Sequence, residues 1–179
     1  MKGIVFTEFL ELVEDKFGLE MVDKIIRQSN LESGGVYTAV GTYSFSEMLQ
    51  LVTHLSDNTG ISVDDLLFVY GEHFFSVLKS SYPDLLNTYN NPIDLLSSIE
   101  NHIHVEVRKI YPDAELPTFE VISKTDSKLE MIYRSSRAMS MFGLGLINKT
   151  FEHFNSSATI DYKKIKEDGT EVLFTITEN

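Results

Sequence analysis

The chain has no cysteine and no tryptophan, and only 4 prolines among its 179 residues. Without cysteine there is no disulfide framework, no thiolate nucleophile and no Cys-based zinc site. Positive charge is scarce: 15 Lys and Arg face 27 Asp and Glu, for a net charge of -12. A nucleic-acid binder needs a basic face, so this balance argues against nucleic acid as a partner. It suits docking onto a basic protein surface. No apolar run approaches the roughly 20 residues of a membrane span. The start, Met1-Lys2-Gly3-Ile4-Val5-Phe6-Thr7-Glu8, meets an acidic residue too early for a signal peptide, so a cytoplasmic location is expected. Phosphate loops, Ser-His-Asp spacings, metal-ligand clusters and internal repeats are also missing.

What is present is apolar and aromatic. The chain is 42% hydrophobic, with 12 Phe and 8 Tyr. That is ample for one domain over residues 1–179 with a core and a binding cavity. It is expected to have two lobes, about 1–60 and about 61–179. Helical spacing places Ile4, Val5, Phe9, Leu12, Val13 and Phe17 on a first helix that Gly18 stops. A second covers 19–28, and 29–43 reads as loop. Ser44 to Glu47 has the spacing of a capping box, opening a helix to about His54 or Leu55 with a stop at Asn58-Thr59-Gly60. Ser62 to Asp65 opens the next, broken at Tyr82-Pro83. Asn91-Pro92 starts a single long helix to about Tyr111, with Leu96, Ile99, Ile103, Val107 and Ile110 as its apolar stripe.

After Pro112 the character changes. Strands are expected at 119–123 and 128–133, a helix at 138–154, and strands at 159–165 and 171–177. Asp168-Gly169 carries the signal of a two-residue hairpin turn between the last two. The fold class is therefore α+β: a helical N-terminal lobe, then a lobe with a four-stranded antiparallel sheet and packed helices.

Along 128–133 the alternation puts Leu129, Met131 and Tyr133 on one side. Continuing that period adds Ser135 and Arg137. A phenol, a hydroxyl and a guanidinium pointing one way suit a small anion with several oxygens, and the Arg fork suits a carboxylate. Five histidines stand at 54, 73, 102, 104 and 153. His102 and His104 are two apart on a helix, so both cannot reach one metal. Periodicity leaves the choice between them open.

Tyr133-x-Ser135-x-Arg137, preceded by a helical His, resembles the H-NOX family of haem-nitric oxide/oxygen binding domains. The Met1-Lys2-Gly3 start, Ile110-Tyr111-Pro112 and the later Pro117 extend that resemblance over the whole chain. It implies a haem b, held without covalent attachment between the lobes, and it makes His104 the axial iron ligand with His102 as the alternative. Tyr133, Ser135 and Arg137 would hold the propionates, and Pro117 would pack on and bend the porphyrin. The family's distal positions fall on Val5, Phe9, Phe74, Phe142 and Leu146, and Phe142 stands where O2-binding members have Tyr. The resemblance therefore implies nitric oxide (also carbon monoxide) as ligand and exclusion of O2. It further implies a signal carried by haem and lobe movement to a separate effector, a histidine kinase or a cyclic-di-GMP enzyme. The Cys-rich zinc site of many relatives is lacking here. Gly71, Gly143 and Gly145 are candidate hinges, with close helix approach as the other reason for them.

Two rival readings use the same residues. An enzyme could draw acid–base groups from Glu100, His104 and Glu106 and bind an anionic substrate at Arg137; the expectation is that the chain is not an enzyme. A haem-free regulatory module could bind an apolar carboxylic acid through Tyr133, Ser135 and Arg137.

Overall fold

The computed structural model describes residues 1–179 and divides into two compact units, Met1–Tyr70 and Gly71–Asn179. The division falls inside the helix Val63–Ser81.

In the first unit, α1 (Gly3–Phe17) ends where Gly18 takes φ +84°, a value that L side chains resist. α2 (Leu19–Gln28) follows at once. α3 (Phe45–Thr59) ends on a left-handed Gly60, and α4 (Val63–Ser81) begins behind Ser62, whose hydroxyl accepts the Asp65 amide proton. The loop at 29–43 is pinned to the N-terminus by backbone bonds: Gly3 to Gly41, Ile4 to Ala39 and Tyr43 to Met1. Gly3 is required there, because a Cβ would lie 1.8 Å from the Thr38 carbonyl oxygen. Phe6 stacks on Tyr37 at 4.4 Å between ring centroids.

The capping box at Ser44 is only half formed. Ser44 Oγ accepts from Ser46 N–H, and the Glu47 side chain turns inward instead of back to the cap. Its carboxylate accepts from Ser33 Oγ at 2.5 Å, Ser33 N at 3.2 Å and Tyr37 Oη at 2.6 Å. Three donors from the loop outweigh one exposed cap proton, since a bond to a buried charge contributes about 1.5–3 kcal/mol.

In the second unit, the tail of α4 leads to a short α5 (Pro83–Asn87) and α6 (Pro92–Ser97), then a π-helical turn (Ile99–Ile103) and α7 (His104–Ile110). Asn91 caps α6 by accepting the Asp94 amide proton. Four strands follow: β1 (Thr118–Lys124), β2 (Lys128–Arg134), β3 (Ala158–Lys164) and β4 (Glu171–Glu178), with α8 (Ser140–His153) between β2 and β3. Sheet order is β1-β2-β4-β3, all antiparallel. Leu129, Met131 and Tyr133 of β2 pair with Ile176, Phe174 and Val172 of β4, and all six are buried. This face shares its core with Ile93, Leu95 and Leu96 of α6 and Ile147 and Phe151 of α8.

Gly143 and Gly145 cost α8 roughly 1 kcal/mol each against alanine. Burial of Ile147 and Phe151 returns about 1.5–3 kcal/mol each, so the helix holds. Gly71 has a steric reason of its own: a Cβ would meet the Phe142 carbonyl oxygen at 2.1 Å. Close approach of α4 to α8 is thus the structural need at that glycine.

Two expectations are corrected. The long helix over 91–111 is broken into α6, the π-helical turn and α7. The β3–β4 connection is no two-residue turn; residues 165–170 intervene, with Gly169 N–H bonded to Lys166 O. Ion pairing of Lys166 and Arg134 with Glu171 accompanies the longer loop.

Candidate functional site

The π-helical turn decides what α7 buries. Ser98 O accepts both His102 N–H and Ile103 N–H, so one extra residue enters the turn. An added residue shifts every later side chain by about 100° around the axis. The expected stripe is therefore only partly kept beyond Leu96: Ile99, Ile103 and Val107 are half-buried, Ile110 is 48% exposed, and His104 is the buried residue of α7 at 8%. Pi turns of this kind are frequent at functional sites.

His104 Nδ1 lies 3.3 Å from Glu100 Oε2. The same oxygen accepts the Phe119 amide proton at 3.1 Å, and Arg108 approaches the other carboxylate oxygen at 3.6 Å. Burial pushes the His104 pKa down, which outweighs the upward pull of Glu100. A neutral imidazole beside a carboxylate presents Nδ1–H to it and keeps the lone pair on Nε2, the form that ligates a metal. His102 is engaged otherwise, with Nδ1 2.5 Å from Tyr89 Oη.

The predicted clamp is assembled by a turn, not by continuation of the strand. β2 ends at Arg134, and Ala138 N–H then bonds back to Ser135 O. Within the turn Ser135 Oγ accepts Arg137 N–H at 3.2 Å, and Tyr133 Oη accepts Met139 N–H at 3.1 Å. Burial pushes the Tyr133 phenol up, with the Ser135 hydrogen bond opposing it in part, so it stays protonated at neutral pH. Ser135 and Arg137 line a concavity of about 420 Å³ with Glu115, Leu116, Arg134 and Ser136. Arg137 donates through Nη1 to Glu115 O at 2.7 Å and through Nη2 to Glu115 Oε2 at 2.6 Å. The Glu115 side chain is 84% exposed, so this is a surface carboxylate seated in the Arg137 fork.

Of the remaining predicted residues, Pro117 is half-buried between α7 and β1. Phe74 and Phe142 face each other at 5.5 Å between ring centroids, and Leu146 lies one helical turn on, half-buried. In the first unit Phe9 is buried with its ring 5.3 Å from Tyr70, and the Val5 carbonyl accepts the Tyr70 hydroxyl proton at 2.5 Å. Of the acid–base trio of the enzyme reading, Glu100 meets His104 at 3.3 Å, while Glu106 pairs with Lys109 at 2.6 Å. Glu115 and Tyr89 are contacts that the sequence reading did not assign, and Glu100, named there only as an acid–base group, is a partner of His104. Only Glu100 carried a usable signal, since it stands four residues before His104 on the same helical face.

The haem-NO-binding family model matches residues 2–162. Among solved structures, the Fe(II) unliganded H-NOX protein from K. algicida is 74% identical, with 100% of this chain and 97% of that chain covered and a TM-score of 0.99. The H-NOX of Shewanella woodyi, solved in the Fe(II)CO ligation state, is 38% identical over 100% of this chain and 95% of that one, with a TM-score of 0.84. Soluble guanylate cyclase 89Db of Drosophila melanogaster is 24% identical over 157 residues, which is 86% of this chain but only 23% of the cyclase. This chain therefore spans about a quarter of that curated relative. Matched over most of its length by the family model and along its whole length by an H-NOX fold at 74% identity, the chain belongs to the haem-NO-binding (H-NOX) family of haem-based gas sensors.

Proposed function

We propose that this protein binds haem b without a covalent bond, with His104 as the axial ligand, and senses nitric oxide while excluding O2. The observation that carries the reading is His104 itself: a buried, neutral imidazole whose Nδ1 is engaged by Glu100, so that Nε2 is the donor atom. The residues fit the group at its other end too. Glu115 in the Arg137 fork is a stand-in for a propionate; Ser135 lies in the same turn as Arg137, and Tyr133, at the end of β2, bonds to Met139 just beyond it.

When bound, a ferrous haem with one imidazole ligand supplies an open coordination position for a diatomic gas. His104 holds the iron from one side. Arg137, Ser135 and the Tyr133 phenol orient the propionates, and Pro117 packs on the ring. Val5, Phe9, Phe74, Phe142 and Leu146 are assigned to the gas side. None has a polar hydrogen to donate to bound O2, whereas nitric oxide needs no such donor. The carbon monoxide state of the Shewanella woodyi relative supports CO as a second ligand.

Signalling in this reading passes to a separate effector protein, a histidine kinase or a cyclic-di-GMP enzyme, by movement of the haem and the lobes in the cytoplasm. The guanylate cyclase relative, far longer than the matched segment, supports a sensing segment that works with an effector elsewhere. No helix is long and apolar enough to cross a membrane.

The test is an absorption spectrum of the reduced protein, first alone, then under air, then under nitric oxide. A Soret band that shifts with nitric oxide and not with air is the expected outcome. Colourless protein that takes up no added haem overturns the reading in favour of a haem-free carboxylate-binding module.

A further inference from the structure

We propose that Glu100 is the positioning residue of the iron site: it orients His104 and ties the ligand helix to the first strand of the sheet through a single carboxylate oxygen. The inference rests on His104 being the ligand and extends the Glu100 contact from the imidazole to the sheet. Glu100 sits in the π-helical turn, one residue into it, and His104 is the first residue after it. Glu100 Oε2 lies 3.3 Å from His104 Nδ1 and 3.1 Å from the Phe119 amide nitrogen. Phe119 pairs with Tyr133 across β1 and β2, and their rings meet edge to face at 5.5 Å. One oxygen thus links the imidazole to the strand pair that carries the start of the propionate turn.

The chemistry of this arrangement is specific. A carboxylate that accepts the distant ring N–H of a ligating histidine fixes its tautomer, locks ring rotation and makes the bound nitrogen a stronger donor. The carboxylate is itself held. Arg108 stands 3.6 Å from its other oxygen, and the π-helical turn sets the backbone from which it reaches. Glu100 and His104 are only 31% and 10% exposed at their side chains, so water competes weakly for the bond. The Phe119 ring lies 6.0 Å from the imidazole, which adds packing to the same joint.

Displacement of His104 along its bond to iron would then pull on Glu100 and, through it, on β1. A part-buried hydrogen-bonded joint passes motion because breaking it leaves the amide and the imidazole to a less well placed partner. Glu100 therefore acts through His104, as a positioning residue.

The experiment compares wild type, Glu100→Gln and Glu100→Leu as ferrous haem-loaded proteins, with His104→Gly as the separate check on the ligand. Gln keeps an acceptor oxygen for both protons and removes the charge; Leu removes both. Resonance Raman of the iron–histidine stretch is expected to fall in frequency for Glu100→Gln. Glu100→Leu is expected to lose about 10–100-fold in haem retention. Amide hydrogen exchange at Phe119 is expected to stay slow in Glu100→Gln and to become fast in Glu100→Leu. An unchanged stretching frequency in Glu100→Gln overturns the proposal, as does retained Phe119 protection in Glu100→Leu. If His104→Gly leaves the ferrous spectrum unaltered, it is the ligand assignment that fails.

Discussion

The Tyr89 hydroxyl lies 2.5 Å from His102 Nδ1, so the two neighbouring histidines of this chain have different partners. His102 is held by a phenol and is only half-buried, whereas His104 is buried beside a carboxylate. His104→Gly is expected to lose the protein-derived axial ligand and to regain a five-coordinate ferrous spectrum on addition of imidazole. His102→Ala is expected to keep the wild-type spectrum. Reversal of the two results would move the ligand to His102.

Arg137 donates to both the backbone and the side chain of Glu115. An exposed glutamate is a replaceable partner, because a surface ion pair contributes only about 0–1 kcal/mol. Arg137→Ala is expected to speed haem loss, while the urea midpoint of the apoprotein moves little. Arg137→Lys is expected to fall between, since a point charge cannot form the planar fork. Transfer of haem to an acceptor globin, followed by absorbance, reads the rates; equal rates in Arg137→Ala and wild type would remove Arg137 from the site.

Phe142 contributes an apolar ring against Phe74. Phe142→Tyr adds a hydroxyl donor to the surface assigned to the gas, and the expected outcome is a spectral change of the reduced protein in air that wild type lacks. Phe142→Leu, which adds no donor, is the control and should stay indifferent to air. An O2 spectrum in wild type would contradict the apolar assignment.

Glu47 gives a pH dependence with a definite sign. Burial acts to raise its pKa, but the bonds from Ser33 and Tyr37 outweigh that and hold it below the ordinary carboxylate range. A folded pKa below the unfolded one means that this contribution is present above the unfolded value. It is lost as pH falls through the folded value. Stability of wild type should therefore drop on acidification below the ordinary glutamate range. Glu47→Gln should be less stable at neutral pH and show a flatter acid limb. Glu47→Ala should cost about 3 kcal/mol at neutral pH, the order of a few hydrogen bonds to a charge offset by water. Urea midpoints measured across pH read both. Parallel acid limbs for wild type and Glu47→Gln would refute it.

Local signals were the legible part of this chain. Gly18, Gly60 and Pro83 mark helix ends as expected, because positive φ and a missing N–H act on the backbone wherever the residue sits. Alternation in β2 gave its buried face, since successive side chains of a strand point to opposite sides of the sheet. The α+β order and the family were readable from residue types and their spacing, whereas Ser135 and Arg137 come together in a turn and not along the extended strand that alternation suggested.

Tertiary structure alone decided the rest. A 3.6-residue period cannot announce a π-helical turn. The stripe from Leu96 to Ile110 therefore holds only in part, with Ile99, Ile103 and Val107 half-buried and Ile110 exposed, and after the turn it is His104 that is buried. Glu47 looked like a cap, yet donors from the folded-back loop just before the helix offered a buried carboxylate more than one surface proton could. Glu100 stood only as a candidate acid–base group until Phe119 arrived from β1 to share its oxygen with His104. In each case the deciding partner lies outside the helix itself, or depends on one extra residue in a turn. Short-range pattern determines which elements form and where they stop; which polar atom meets which is settled only when those elements pack.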